Sequence, residues 1–281
     1  MVRVGVHVSI AGSIGRAVER AVALGCDTFQ IFSRNPRGWA SKELTTAGIE
    51  IFIRNLRTSR IFPAVDHMPY LPNLATPAED LYHKSVATLT AELLRCGSLS
   101  LPYLVTHLGH HQGTGIEKGR ERVCTAIDSA FSVTDNEVMI LLENTAGEKN
   151  SLGSSFTDIR AVLDGIESRD RIGVCLDTCH AFAAGYDFRT PEAIAHTFEE
   201  FDSTIGINLL KLIHLNDSYG TLGSGLDRHE HIGLGHIGEE GFRHLLHHPL
   251  VRDLPCICET PEDDRRDDKG NLGKVRELAG K

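Results

Sequence analysis

Basic residues are scarce relative to acidic ones in this sequence. The 281 residues include 29 Lys and Arg but 38 Asp and Glu, so the formal net charge is -9 at pH 7. This balance excludes the broad basic surface from which non-specific nucleic-acid-binding proteins draw their affinity for phosphate. A phosphate-binding function would therefore need a local source of positive charge.

Cysteine pairs in a CxxC spacing are also absent, and the number of cysteines, seven, is odd. Structural zinc sites and disulfide frameworks normally use paired cysteines. We therefore interpret the cysteines as reduced and mostly buried thiols. They are Cys26, Cys96, Cys124, Cys175, Cys179, Cys256 and Cys258.

Long apolar runs and low-complexity segments are missing as well. The sequence contains no run of 18 apolar residues, and its first residues, MVRVGVHVS, carry no apolar targeting segment. The expectation is a cytoplasmic protein without membrane contact. Because no linker or internal repeat divides the chain, we expect a single domain over residues 1–281. A hydrophobic content of 41% suffices for a sizeable core.

The sequence does contain short apolar runs, often rich in Val and Ile, that alternate with amphipathic segments. This alternation is typical of a parallel sheet covered by helices on both faces. Eight runs favour a single (β/α)8 TIM barrel, an α/β fold of typically about 250 residues, over a doubly wound open sheet. The predicted strands are Val2–Val8, Thr28–Phe32, Phe62–His67, Tyr103–His107, Val138–Glu143, Ile172–Asp177, Leu210–His214 and Pro255–Glu259. The clearest predicted helices are Ser13–Leu24, Pro77–Cys96, Gly119–Phe131, Pro191–Phe201 and Glu239–His247.

Six consecutive predicted strands, the third to the eighth, end in a residue that can bind a metal. In a TIM barrel these positions converge on the rim at the carboxyl ends of the strands, where active sites of this fold are built. Two short motifs add candidates: DTCH contains Asp177 and His180, and DRH contains Asp227 and His229. The strand-end residues are His67, His107, Glu143, Asp177, His214 and Glu259.

Nine imidazole and carboxylate ligands without clustered thiolates favour zinc or manganese. They exceed what one four-coordinate ion can use, so more than one metal is expected. A carboxylate such as Glu143 can bridge two ions, and paired metals activate water and stabilise the leaving oxygen of a phosphodiester. Three Zn²⁺ ions and four ionised carboxylates would give the site a net charge of about +2. The metals would thus provide the local positive charge that a phosphate-binding function needs in this acidic protein.

Other histidines are interpreted differently, because a lone histidine is more often a surface or hydrogen-bonded residue than a ligand. His7 ends the first predicted strand and is expected to support a ligand. His110 and His111 are candidates for orienting or contacting a phosphate. Cys179, inside DTCH, ranks below its neighbours as a ligand. Ordinary roles are expected for His83, His196, His244, His247 and His248.

Longer segments around these residues resemble the signatures of the endonuclease IV family of apurinic/apyrimidinic (AP) endonucleases. The resemblance runs from about Val4 to Glu259 and implies a xylose isomerase-like TIM barrel. The segments are HMPYLPNL at His67, ENTAGEKNSLG at Glu143, GVCLDTCHAFAAGYD at Asp177 and His180, and HLNDS followed by GSGLDRHEHIGLG at His214, Asp227 and His229.

The resemblance implies a zinc-dependent DNA repair enzyme with three Zn²⁺ ions per chain and Mn²⁺ as an alternative at one site. It would cleave the phosphodiester 5′ to an abasic site in duplex DNA, leaving a 3′-hydroxyl and a 5′-deoxyribose phosphate. It would also remove blocked 3′ ends as a phosphodiesterase and phosphatase. The first metal would be bound by His67 and His107, and Glu143 would bridge the first metal and the second. The remaining ligands of the second metal would be Asp177, His214 and Glu259. The third metal would be bound by His180, Asp227 and His229.

Glu143 and Glu259 are the candidate catalytic residues. Glu143 would position the attacking water, and Glu259 would orient it or accept its proton. The DNA would be recognised by shape, because an abasic nucleotide has lost its stacking and is extruded at a lower cost than a normal one. By the resemblance, Arg37 in RNPRGW and Tyr70 with Leu71 in HMPYL would wedge into the bent duplex.

Two positions depart from the family's pattern. Gly38 stands where some members carry a glutamine that helps to fill the gap in the base stack, and His110 stands where a small residue is common. Both positions bear on the wedge and the phosphate contacts, whereas every presumed metal ligand is present.

Two other functions account for parts of the pattern. A sugar isomerase of the xylose isomerase type also gathers His, Glu and Asp around two divalent metals at a barrel rim, but the DRH pair and the HMPYL loop argue against it. A non-catalytic DNA-damage binding protein with structural metals would favour closed, cysteine-rich sites. A duplex lying across the barrel mouth needs no second subunit, so a monomer without an obligatory protein partner is expected.

Overall fold

The computed structural model describes residues 2–280 and contains eight parallel strands and a short antiparallel hairpin. Met1 and Lys281, the two ends of the predicted domain, lie outside the described residues. In chain order the strands are β1 (Arg3–Val6), β2 (Phe29–Ile31), β3 (Ala64–His67), β4 (Tyr103–His107), β5 (Met139–Glu143), β6 (Ile172–Asp177), β7 (Leu210–His214), β8 (Asp217–Ser218), β9 (His229–Glu230) and β10 (Pro255–Cys258).

The eight parallel strands form one sheet that curls into a nearly closed barrel. Their order is β1-β10-β7-β6-β5-β4-β3-β2, while β8 and β9 pair with each other as the hairpin. The two ends of the sheet meet where His7 pairs with Gln30 in a parallel bridge. There the backbone N–H of Val8 donates to the carbonyl of Gln30 at 2.8 Å. This contact joins β1 to β2 and confirms the predicted TIM barrel.

Helices connect successive barrel strands and cover the outside of the sheet. Several begin at a residue whose side chain accepts a backbone N–H of the first turn, as Thr45, Ser155 and Thr190 do. The helices are α1 (Gly15–Leu24), α2 (Thr46–Ser59), α3 (Glu79–Leu99), α4 (Ile116–Ser132), α5 (Phe156–Gly165), α6 (Thr178–Ala184), α7 (Pro191–Thr204), α8 (Gly238–His247), α9 (Pro249–Asp253) and α10 (Asp268–Leu278). Short 3-10 helices span Arg169–Arg171 and Ile207–Leu209.

None of the helices within residues 2–280 combines the length and the apolar character needed to span a bilayer. All seven cysteines are free and buried, as the sequence predicted.

The core has two layers, one between the strands and the helices and one inside the barrel. The inner layer contains one residue from each of six strands. Because side chains alternate along a strand, the residue two positions further on also points into the barrel. In all six strands that residue is the predicted strand-end ligand. The inner-layer residues are Val65, Val105, Leu141, Cys175, Leu212 and Ile257.

The predicted strands agree closely with the observed ones. The fourth, sixth and seventh have the predicted bounds, and Glu259 follows the last residue of β10 by one position. All five predicted helices are present. Helices α2, α5, α6 and α9 were not among the predicted segments, although Ile49, Phe52, Ile53 and Leu56 of α2 follow helical spacing.

Candidate metal centre

The nine predicted ligands lie together at the carboxyl ends of the barrel strands. Within each of three groups, one donor atom from every residue lies within 4.8 Å of the others. Glu143 belongs to two of these groups. The grouping is the one that the family resemblance implies, while the role of the residues as ligands stays a prediction. The groups are His67, His107 and Glu143; Glu143, Asp177, His214 and Glu259; and His180, Asp227 and His229.

Glu143 lies at the centre of the site, with its side chain fully buried at the end of β5. One carboxylate oxygen, Oε2, lies 3.0 Å from Nε2 of His67 and 3.4 Å from Nε2 of His107. The other, Oε1, lies 2.9 Å from Nδ1 of His214. Burial raises the pKa of Glu143, but positive charge on His107 and His214 outweighs burial and holds this pKa well below its usual range. The carboxylate therefore lies where it can bridge two positive centres.

Three of the predicted histidine ligands use one ring nitrogen to donate to a backbone carbonyl. A carbonyl oxygen only accepts hydrogen bonds, so the nitrogen that faces it carries the proton. The other nitrogen, Nε2, then points into the site, as in histidines that bind metals. The three bonds run from Nδ1 of His67 to Met68 (2.7 Å), from Nδ1 of His180 to Asn144 (3.0 Å) and from Nδ1 of His229 to Glu259 (2.9 Å).

The nitrogens that point into the site lie unusually close to one another. Nε2 of His180 is 3.3 Å from Nε2 of His229 and 3.0 Å from Oδ1 of Asp227. Two neutral imidazoles arranged in this way would direct lone pair against lone pair, and a shared cation removes that repulsion. Nitrogen and carboxylate donors suit zinc or manganese. The donor sets therefore fit the metals that the sequence predicted.

The carboxylates of the cluster favour positive charge at its centre. Burial lowers the pKa of His180, but Asp177, Asp227 and Glu143 outweigh burial and raise it to about 10. In the opposite sense, burial raises the pKa of Asp227, and the hydrogen bond and charge of His180 bring it down to about 2. Protons or metal ions can supply the charge that these residues attract.

Access to the site is through the rim, where two cavities meet the same side chains. One, of about 360 Å³, is lined by His7, Phe32 and Glu259 among others, and the second, of about 450 Å³, extends along the HMPYL loop. Tyr70, His107, His180 and Asp227 line both. The predicted metal site therefore adjoins two cavities at the rim.

The predicted wedge residues are exposed beside these cavities. The side chains of Tyr70 and Leu71 are 63% and 38% exposed, and Arg37 is also exposed. The backbone N–H of Tyr70 donates to the carbonyl of Pro36 at 3.2 Å, which joins the loop after β3 to the loop after β2. The ring of Phe32 packs edge-on against Tyr70 with centroids 4.9 Å apart. The structure thus places the wedge candidates on one ridge.

Comparison with known proteins agrees with the fold and the motifs. The family profile described as xylose isomerase-like TIM barrel matches residues 18–278. Over 281 residues, and 100% of both chains, the sequence is 60% identical to the probable endonuclease 4 of Methanoculleus marisnigri. The chain belongs to the endonuclease IV family. The family resemblance drawn from the motifs is thereby confirmed.

Solved structures show the same relationship. Endonuclease IV from Thermus thermophilus matches with a TM-score of 0.86 at 36% identity, covering 98% of each chain. A D-tagatose 3-epimerase-like protein matches with a TM-score of 0.72 at 19% identity, also over 98% of each chain. At that identity the second match shows the fold alone, so it does not favour the sugar isomerase alternative.

In this member of the endonuclease IV family, two asparagines that the sequence analysis missed hold the second group in place. Asn144 accepts the backbone N–H of Asp177 at 2.7 Å. Asn216 donates to Oδ2 of Asp177 at 2.6 Å and accepts the backbone N–H of Glu259 at 2.7 Å. Both asparagines are buried. Their signal in the sequence is position, since each follows a strand-end ligand by one or two residues.

The remaining rim residues have identifiable partners. His7 lies 3.6 Å from Glu259, consistent with a supporting role. His110 lines the larger cavity. Nδ1 of His111 accepts backbone N–H groups of Gly113 and Gly115 and so closes the loop before α4, while its contact with a phosphate stays a prediction.

Cys179 forms a fourth group with Asp177 and His229. Its thiol is 3.5 Å from the carbonyl of Arg228, to which it donates. Burial raises the pKa of this thiol, which keeps it protonated. The rank of Cys179 below Asp177 and His180 as a ligand stays a prediction.

Proposed function

We propose that this chain is a zinc-dependent AP endonuclease of DNA repair. It cleaves the phosphodiester 5′ to abasic sites in duplex DNA, giving a 3′-hydroxyl and a 5′-deoxyribose phosphate, and it removes blocked 3′ ends as a phosphodiesterase and phosphatase. The observation that carries the proposal is the convergence, at an open barrel rim, of nine side chains of the types that bind metals. Membership of the endonuclease IV family supports it.

The three groups of donors would hold three Zn²⁺ ions, with Mn²⁺ as an alternative at one of them. Bound metal ions lower the pKa of water and neutralise charge on phosphate oxygens. The ions would also supply the positive charge that DNA binding requires, since the chain as a whole carries a net charge of -9.

Glu259 has the exposure and the charge of a residue that orients a water. Its side chain is 19% exposed and lines the smaller cavity, whereas that of Glu143 is fully buried. Burial raises the pKa of Glu259, but the positive charge of His214 outweighs burial and holds this pKa well below its usual range. The carboxylate is therefore ionised at neutral pH, which suits it to bind a metal ion and to orient a water, whereas so low a pKa makes it a weak base for the proton of that water. Glu143, enclosed by histidines, serves to position the metals and the water.

The exposed ridge formed by Arg37, Tyr70 and Leu71 would recognise the damage. Its apolar side chains stand beside the site and can open a base step of a bent duplex, while an abasic nucleotide enters the rim. Gly38 adds no side chain to this ridge. The gap that the abasic nucleotide leaves in the base stack would therefore be filled by Tyr70 and Leu71.

The whole chain is proposed to act as a single-domain monomer in the cytoplasm without an obligatory protein partner. All eight parallel strands belong to one barrel, and the nine donors come from that barrel and its own rim loops. No donor from a second subunit is needed to complete the three groups.

The direct test is cleavage of a duplex that contains one tetrahydrofuran abasic analogue. Purified protein should hold about three zincs per chain and should nick the strand on the 5′ side of the analogue, leaving an end that a DNA polymerase extends. The same duplex without the analogue is the control. If metal-replete protein leaves the damaged duplex whole, the proposed function is wrong.

The ridge is tested by Tyr70→Ala. Loss of a side chain that stacks on bases should weaken binding to the damaged duplex by about 1–3 kcal/mol. Fluorescence anisotropy measures the affinity, and Val133→Ala, which changes an exposed apolar side chain away from the rim, is the control. Equal affinities for wild type and Tyr70→Ala would remove Tyr70 from the recognition surface.

A further inference from the structure

Gln30 is a polar residue in the short apolar strand β2, and its side chain is fully buried. Its backbone lies at the seam where β1 and β2 close the barrel. The amide group points into the site and contacts three of its residues. The distances are 2.6 Å from Nε2 of Gln30 to Oε1 of Glu259, 3.1 Å from the same nitrogen to Nδ1 of His7, and 2.9 Å from Oε1 of Gln30 to Nε2 of His214.

The orientation of this amide follows from the chemistry of its neighbours. An ionised carboxylate only accepts hydrogen bonds, so the NH₂ group of Gln30 faces Glu259 and the amide oxygen faces His214. The amide oxygen also only accepts, so Nε2 of His214 must carry a proton. The other nitrogen, Nδ1, is then the one that lies 2.9 Å from Glu143 and 3.3 Å from Oε2 of Glu259.

His214 differs in this respect from the three histidines described above. His67, His180 and His229 donate to backbone carbonyls, which no side-chain substitution can remove. His214 donates instead to a side chain. The orientation of this one imidazole therefore depends on the identity of a single residue, Gln30.

We infer that Gln30 is a positioning residue for the second metal group. It fixes the Nε2 proton of His214, which directs Nδ1 toward Glu143, Asp177 and Glu259, and it holds the carboxylate of Glu259 with its own N–H. The inference rests on the proposed function, in which this group binds a metal. The contacts of the amide with His214 and Glu259 converge on the same group, so their loss should act on that group before the others.

The test is Gln30→Met, which keeps a side chain of similar length but removes all three hydrogen bonds of the amide. Protein stripped of metal and titrated with zinc against a chelating indicator should show one site per chain whose dissociation constant rises about 10- to 100-fold, the usual effect of losing such a partner. The sites formed by the other groups should change little.

A second readout follows the proton itself. In zinc-loaded protein with ¹⁵N-labelled histidine, the Nε2–H signal of His214, assigned with His214→Gln, should exchange slowly in wild type and rapidly in Gln30→Met. In Gln30→Glu, which retains an acceptor for His214, the slow signal should persist. A residue that only fills space would not show this pattern of loss and rescue.

Ile31→Val is the matched control, because Ile31 is the next residue of β2 and is fully buried in the core between strands and helices. It should lower the melting temperature without changing zinc affinity. If Gln30→Met behaves in the same way, or keeps the slow signal, the inference is overturned. If wild-type protein binds no metal or leaves the abasic duplex whole, the proposed function fails, which is a different result.

Discussion

The individual ligands are placed by the two-residue period of a β-strand. Leu141 fills the inside of the barrel, and Glu143, two residues later, points the same way at the rim. The same relation joins Cys175 to Asp177 in β6. Below the rim the inward positions are apolar, and at the rim they are polar. A shift of one residue in any of these strands would turn its ligand outward.

At the residue scale, we predict that Glu259→Gln greatly reduces cleavage while damaged-DNA binding is retained. The amide preserves the shape of the side chain but cannot accept a proton, and general-base catalysis contributes typically about 10²- to 10⁴-fold in rate. Single-turnover cleavage and anisotropy measure the two properties separately.

The control for this variant is Glu262→Gln, three residues further on and exposed. It should cleave at the wild-type rate. Unaltered turnover by Glu259→Gln would remove Glu259 from the mechanism. Metal content is measured in both variants, so that a slow rate is not confused with a lost ion.

At the scale of elements, the third metal group depends on a helix start and a hairpin. Asp177 caps α6 by accepting the backbone N–H of His180 at 2.8 Å, so the first turn of the helix aims His180 at the site. His229 is the first residue of β9, which pairs with β8 just after β7. The hairpin brings the DRH motif back over the barrel. No local pattern in the sequence predicts this hairpin.

Helix α10 offers a prediction about pH. Asp268 is its first residue, and burial, with the nearby negative charge of Glu262, raises the pKa of Asp268 to about 7. The folded protein thus holds this proton more tightly than the unfolded chain, so stability falls as pH rises from about 4 to about 7. Asp268→Asn cannot ionise and should gain stability relative to wild type between about pH 5 and about pH 8.

Urea unfolding of both proteins at the two pH values gives the difference in the free energy of unfolding. Asp264→Asn, at an exposed position nearby, is the control and should show a smaller change with pH. A constant difference between Asp268→Asn and wild type would contradict the prediction.

At the scale of the whole molecule, the proposed function requires the metal ions to supply the positive charge with which an acidic chain would bind DNA. Removing the metals with a chelator should weaken DNA binding. It should also lower the melting temperature, because a ligand that binds only the folded state stabilises that state. At a ligand concentration of a hundred times the dissociation constant, this contribution to the free energy of unfolding is about 2.7 kcal/mol. Anisotropy and calorimetry, with added zinc as the rescue, measure both effects. Equal affinity and melting temperature with and without metal would mean that the centre holds no stabilising ion.

The barrel, its strands and the nine residues of the rim could be predicted from the sequence. These follow from local patterns: the apolar runs set the strands, and the position after each run sets the residue at its carboxyl end. The motifs around His67, Glu143 and Asp177 were long enough to identify the family.

The tertiary structure alone decided how those residues are oriented. Gln30 and Asn216 contact Glu259 only because strands far apart in the chain meet at the barrel rim; Gln30 and Glu259 are 229 positions apart in the sequence. Hydrogen-bond partners across a closed barrel depend on the closure itself, and no local pattern encodes them. For the same reason, the contacts of Gln30 with the site could not be predicted from the sequence, because they exist only where β1 and β2 meet.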